Sequence, residues 1–376
     1  MVGGGLIGLS IAFALDRRGV GTAVLEAGQR VGRSASWVAA GMLAPVGELD
    51  FGEPALLEIN LASSDLYPDF VASVEAAAGR EVSYRRLGGL HVALDRDEAE
   101  ALRRVLELQL RLGLNSEWLG PSDCRRIEPG LSSGLNGAVM AEGDGMVDPR
   151  ALTSALALAL ERRGVPVLTS AEVTELEISG DRAAGVRLSD GSRLAAGTVI
   201  AAGGAETGRA AWLPRAVRPP IRPVKGQVLE LRGEAAEPVC GRMLASERCY
   251  IVPRPDGRLV IGATVEEMGY DVSVTAGGIH ELLRESYRVL PDIAELEFLG
   301  ATAGLRPGTP DNLPVVGPSA TAGLVMATGH YRNGILLAPI TASVVADMVE
   351  QGVEPGQTPE GPMAAATPSR FAGATA

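Results

Sequence analysis

Apolar residues first gather in a run from Leu6 to Leu15 that stops at the charged Asp16-Arg17-Arg18-Gly19, and a second run, Val20 to Leu25, ends on the acidic Glu26. An uncharged stretch of helical length closed by charge and glycine, then a short β-branched run, predicts helix followed by strand. A second such unit begins at Asp148-Pro149-Arg150, where Asp148 is placed to cap a helix over Ala151 to Arg163 and Pro149 to fill its first position. Short strands follow at Val165 to Leu168, Val173 to Ile178 and Ala184 to Leu188, with Asp190-Gly191 as a hairpin signal. Thr198 to Gly204 reads as a buried parallel strand ending in glycines.

The segments between have another rhythm. Asp97 to Leu112 repeats leucine at 102, 106, 108, 110 and 112 among charges, the mark of an amphipathic surface helix. Period-two alternation recurs at Gln227 to Leu231, Cys249 to Pro253 and Arg258 to Gly262, the last two joined by a Pro255-Asp256-Gly257 hairpin. This predicts an α/β, Rossmann-like cofactor domain (1–80, 146–215 and 317–352) interrupted by an antiparallel-sheet α+β substrate domain (81–145 and 216–316). Residues 353–376, rich in Pro, Gly, Thr and Ala without an apolar period, are expected to be disordered.

Composition narrows the partners. With 46% hydrophobic and 21% charged residues, the 376-residue chain is globular and of a size for two or three domains. Its longest early uncharged stretch, Met1 to Leu15, is shorter than the roughly 20 residues of a bilayer span and lacks a basic start, so no membrane span or leader is expected. A formal charge of −12 argues against a nucleic-acid partner. Three cysteines (Cys124, Cys240, Cys249) without close spacing suggest neither disulfides nor zinc and fit a cytoplasmic protein. With only His91, His280 and His330, no metal site is expected. Lysine occurs once, at 225, among 34 lysines and arginines together. At its strand end it either lies near the cofactor or is a plain structural lysine; Glu266 and Glu267 read as solvated acids.

Gly3, Gly5 and Gly8 satisfy G-x-G-x-x-G, and Glu26 stands 18 positions after Gly8 at the end of the next strand. This is the order of a dinucleotide site: a tight turn, close backbone approach to a pyrophosphate, tight helix–strand packing, and an acid for a ribose hydroxyl. The pattern serves NAD as well as FAD, and a protein that binds a dinucleotide without turnover also fits it. The strand ahead of Gly3 is only Met1-Val2, against about five residues normally, which points to a misassigned start or a truncated chain.

Longer motifs favour FAD. Val2 to Gly8, Gly32-Arg33-Ser34, Ala40 to Pro45, Pro223 to Gln227, Cys249 to Arg254, Gly304 to Asp311 and Gly329 to Pro339 together resemble the D-amino-acid-oxidase-type flavoproteins, within them most of all the glycine oxidases of thiamine biosynthesis, over roughly residues 1–350. The resemblance implies a glutathione-reductase-type FAD domain with noncovalent FAD. It also implies oxidation of a small amino acid by O₂ to an imine, with hydrogen peroxide as the second product. D-Amino-acid or sarcosine oxidases and dehydrogenases of the same superfamily remain alternatives, and oligomeric state is open, a homo-oligomer included.

Carried over residue by residue, the resemblance implies a cofactor set of Gly3, Gly5, Leu6, Ile7, Gly8, Glu26, Ala27, Arg33, Ser34, Ser36, Ala40, Gly41, Met42, Val173, Gly203, His330, Tyr331, Asn333, Gly334, Ile335 and Leu336. Arg306 becomes the carboxylate ligand, because a guanidinium fork pairs both oxygens of a buried carboxylate. Arg332 and Tyr250 are expected as further polar contacts, and His330 as a structural neighbour of the flavin rather than a base. A helix expected from about Leu336, with Pro339 in its first turn, would aim its positive end at the flavin.

Overall fold

The first sheet is organised around Val2. In the computed structural model, which describes residues 1–372, Val2 bridges in parallel to both Leu25 and Ala201. Val24–Leu25 pairs in parallel with Val167–Leu168, and Val199–Ala201 with Leu324–Thr328, which takes Val315–Pro318 antiparallel at the edge. Side chains on a strand alternate between faces. Val24, Ile200 and Val325 accordingly bury against the helices Leu6–Arg17, Pro149–Arg162 and Ala338–Gln351, whereas Leu25, Val199, Leu324 and Met326 bury with Leu176, Val186 and Leu188 of a three-stranded antiparallel layer. Burial on both faces explains why these strands read as unbroken apolar runs.

Segments 81–145 and 216–316 build one eight-stranded sheet, ordered Glu297–Gly308, Arg222–Arg232, Arg258–Gly262, Tyr250–Pro253, Met243–Ala245, Gly89–Ala93, Gly137–Ala141, Ser116–Leu119. It is antiparallel except where Met243–Ala245 meets Gly89–Ala93 in parallel. The sheet is antiparallel as expected, and the one parallel pair is the seam between the two segments, whose pairing no local turn dictates. The amphipathic helix forms as Arg96–Arg111, with Asp95 accepting from the Glu98 N–H, and Asp148 caps Pro149–Arg162 by accepting from Arg150 and Ala151.

One helix is not foreshadowed by the sequence, and one expectation fails. The helix Pro54–Ala78 has no strong sequence signal, because its buried face uses Asn60, Ser63 and Ser64 and Pro68 lies inside it. The tail, expected disordered, packs as far as it is described: Val353, Met363 and Ala366 are buried beside Val316 and Ile340, and Arg370 pairs with Asp311 at 2.8 Å. Of its short 3₁₀ turns, Gly361–Ala366 buries Met363 and Ala366 and Pro368–Phe371 buries no residue, so neither shows the α-helical period that a sequence scan detects. Residues 373–376 of that predicted tail lie outside the described residues. Among the described residues no helix is long and apolar enough to cross a membrane.

Candidate active site

A cavity of about 1120 Å³ runs from the ends of the parallel strands to the face of the large sheet. Its far end is a backbone cradle. Gly3 has φ +114°, and a Cβ there would lie 2.4 Å from the Ala202 carbonyl oxygen, so the turn between strand and helix requires glycine. The helix Leu6–Arg17 therefore starts at the cavity wall. Its Leu6 N–H donates to Ser36 Oγ at 3.0 Å, while the N–H groups of Gly5 and Ile7 meet no protein acceptor among the described residues. Glu26 caps the turn by accepting from Gly4 (2.9 Å) and Gly28 (2.8 Å).

Two more backbone segments present unpartnered donors. Ala40 and Gly41 are buried in the wall, and among the described residues their N–H groups have no acceptor. The same holds for Ile335 and Leu336, in the turn entering the helix Ala338–Gln351. Ser63 Oγ donates to the Leu336 carbonyl (2.6 Å) and Tyr67 to the Ile335 carbonyl (3.2 Å), so the turn is fixed from behind by the long helix. His330 is also fixed, 3.0 Å from Thr341 Oγ1, and burial pushes its imidazole down to about 3, leaving it neutral near pH 7.

The near end is made by the large sheet. Arg306 and Tyr250 each lie over a glycine: a Cβ on Gly226 would sit 2.4 Å from Arg306 Nη1, and one on Gly262 2.4 Å from the Tyr250 ring and hydroxyl. Arg306 Nη1 donates to the Thr264 (3.1 Å) and Lys225 (3.3 Å) carbonyls, and the guanidinium adjoins the Tyr250 hydroxyl, whose pKa burial raises. Among the described residues Arg306 has no carboxylate within ion-pair distance. Arg332 differs: it lies at the rim, 3.1 Å from Glu53 Oε2.

Most of the predicted residues converge here: Gly3, Gly5, Leu6, Ile7, Glu26, Ala27, Ser34, Ser36, Ala40, Gly41, Met42, Val173, Gly203, Tyr250, Arg306, His330, Tyr331, Arg332, Gly334 and Ile335 all line the cavity. Four of the predicted cofactor set do not. Gly8 packs the helix against the Gly3 carbonyl, Arg33 stacks on the Trp37 ring at 3.6 Å, and Asn333 and Leu336 stand behind the wall. Two residues were missed. Glu48 lines the cavity with its carboxyl pushed up by burial, and His91 lines it while holding Asp144 at 3.0 Å. Asp144 accepts from the N–H groups of Val46 (3.1 Å) and Gly47 (3.2 Å), which draws the loop bearing Glu48 inward. Neither carries a local sequence signal, since an acid in a Gly-rich loop reads as solvated.

Residues 1–348 match the model of the FAD dependent oxidoreductase family. The chain belongs to that family. FAD is therefore its cofactor. It is 35% identical over 359 residues to the glycine oxidase of Geobacillus kaustophilus, covering 93% of this chain and 92% of that protein. It is equally identical to a bifunctional ThiO/ThiG protein of Trichormus variabilis, of which it spans about half (53%). The crystal structure of the G. kaustophilus glycine oxidase superposes with a TM-score of 0.88 at 33% identity, covering 98% of this chain and 97% of that one. An iminodiacetate oxidase from Chelativorans sp. BNC1 gives 0.86 at 25% identity, covering 98% of each chain.

The residues present fit the cofactor of this FAD-dependent oxidoreductase. Unpartnered N–H groups at Gly5 and Ile7, next to the helix start, suit a pyrophosphate. Those at Ala40, Gly41 and Ile335, which line the cavity, suit the carbonyl oxygens of a flat ring, because buried amide donors left without acceptors cost free energy.

Proposed function

We propose that the protein oxidises glycine and similarly small amino acids, in the cytoplasm, to an imine that hydrolyses to an oxo-acid and ammonia. By its resemblance to the glycine oxidases, the imine would feed thiamine thiazole synthesis. The observation that carries this reading is Arg306: a cavity-lining guanidinium with no carboxylate partner among the described residues, seated on Gly226 beside the dinucleotide cradle. A free guanidinium fork is complementary to the carboxylate of an amino acid. The Tyr250 hydroxyl beside it supplies one more donor, and Val38, Met42 and Val228 form apolar walls that exclude water. FAD, when bound, takes the two electrons of C–N oxidation and returns them to O₂ as hydrogen peroxide.

Glu26 would accept from the ribose hydroxyls through the lone pairs left free by Gly4 and Gly28. Arg332, held by Glu53 at the rim, would guide the anionic substrate inward. The names of similar proteins support the choice of substrate. The exposed edge strand Glu297–Gly308, with Phe298 half exposed, supports a homo-oligomer, which sedimentation would test. The deciding experiment is a panel of glycine, sarcosine, D-alanine and ethylamine with peroxide detection on the FAD-loaded protein. Glycine among the fastest substrates is the expected result; no peroxide above background from glycine would reject the proposal.

A further inference from the structure

The chain's single lysine enters the site as described so far only through its backbone carbonyl, and its ammonium has no part in it. Lys225 is fully buried, yet it does not line the cavity. Its ammonium lies 2.9 Å from Asp271 Oδ2 and 3.5 Å from Glu266 Oε2. Both acids belong to the stretch 263–275, which has neither helix nor extended strand of its own and meets the sheet at Glu266, bridged to Lys225, and at Thr264, whose N–H donates to the Gln227 carbonyl (3.4 Å) and whose Oγ1 accepts from the Gln227 N–H (2.9 Å). Glu266, solvated by the sequence reading, is thus an internal partner.

Gln227 lies on the same face of the strand, two residues further on. Its Nε2 donates to Glu266 Oε1 (2.7 Å) and Thr275 Oγ1 (3.0 Å), and its Oε1 accepts from the Thr275 N–H (2.9 Å). The stretch is therefore tied to one strand near its middle and at its end. It also reaches the cofactor half, where Tyr270 donates to the Ala205 carbonyl (3.1 Å) and its ring lies under the Arg209 guanidinium (3.7 Å). Next to Glu266, Val265 lines the cavity. The stretch is a strap across the site.

Arg306 rests on this strap. The two carbonyls that accept from its Nη1 belong to Lys225 and Thr264, one on the strand and one at the start of the strap. Their separation is held by the backbone bridge between Lys225 and Glu266 and by the bonds between Gln227 and Thr264, and the side chains of Lys225 and Gln227 hold the rest of the stretch against the strand. Without the ammonium, two carboxylates would face each other with no cation between them, and the strap would be pushed from the strand. We infer that Lys225 is a positioning residue for substrate specificity: by clamping Glu266 and Asp271 it fixes the seat of Arg306 and aims the guanidinium at the substrate carboxylate. This rests on Arg306 being the carboxylate ligand, as proposed above.

The test is a double-mutant cycle on the FAD-loaded enzyme, with flavin content measured on every preparation. Lys225→Met removes the charge and keeps the stem; Asp271→Asn weakens the same clamp at a more exposed position. A misplaced positioning group raises KM while leaving kcat nearly alone, so KM for glycine should rise about tenfold in Lys225→Met and about threefold in Asp271→Asn, with kcat within about twofold. In an Arg306→Ala background neither substitution should change kcat/KM for glycine further, because the group they position is gone. If the losses multiply instead, or glycine KM stays put in both single variants, Lys225 does not act through Arg306 and the inference is overturned. If Lys225→Met does not hold flavin, the Asp271→Asn cycle decides by the same criteria. An Arg306→Ala enzyme with unchanged kcat/KM for glycine would instead reject the carboxylate-ligand reading, which keeps the two failures apart.

Discussion

Replacing Arg306 by alanine removes a cavity guanidinium that, among the described residues, has no carboxylate within ion-pair distance. Truncating one member of a hydrogen-bonded charge pair in a desolvated site costs about 2–5 kcal/mol. Two features place this case in the lower half. The side chain is only partly buried, so water enters the vacated space, and the Tyr250 hydroxyl remains as a donor. A loss of about 2–3.5 kcal/mol corresponds to roughly 30- to 400-fold in kcat/KM for glycine. The Lys225 and Thr264 carbonyls also lose a donor, a stability cost of about 1 kcal/mol each. Arg306→Lys keeps the charge without the fork and should fall between, about tenfold below the parent enzyme. The assay is anaerobic flavin reduction by glycine and by ethylamine, with flavin content as the control. Ethylamine has no carboxylate and should be nearly indifferent. Equal losses for both substrates would mean that Arg306 supports the fold or the cofactor, and the reasoning would be refuted.

Other consequences are separately measurable. Glu26→Ala should weaken FAD retention in an equilibrium titration, since it loses the ribose acceptor and also frees the Gly4 and Gly28 N–H groups; full flavin occupancy would mean the acid has been misread. Because His330 is held down to about 3 when folded, against an ordinary 6.5, the unfolded chain binds the extra proton between those values. Stability should therefore fall as pH drops from about 6.5 towards 3, by up to about 1.4 kcal/mol per pH unit, and His330→Asn should flatten that slope in urea melts. Glu48 has the opposite sense: its raised carboxyl keeps a proton the unfolded chain has released, so stability falls as pH rises above the ordinary carboxylate range, and Glu48→Gln should remove that dependence. Ser63→Ala and Tyr67→Phe each remove one bond to the 335–336 turn and should cost about 1 kcal/mol in urea melts; unchanged melts would show the turn does not depend on those bonds.

What the sequence determined by itself was local. The Gly3-to-Glu26 order, the Asp148 cap and the hairpin at Gly257, which has φ +81°, depend on residues close along the chain, where spacing and backbone preference carry the information. The long motifs also placed Arg306, Tyr250 and the 329–339 turn in one site, and all three meet at the cavity. Tertiary structure decided what depends on distant partners. The parallel seam between Met243–Ala245 and Gly89–Ala93 joins strands from separate segments, and Arg332 is tied to Glu53 across the rim. Glu48 is drawn in by an aspartate nearly a hundred residues away, and the packed tail follows no repeating period. The role of Lys225 is of the same kind. Glu266 reads as solvated and Lys225 as either near the cofactor or plainly structural, and for these two and Glu48 the deciding surroundings exist only once remote segments have come together.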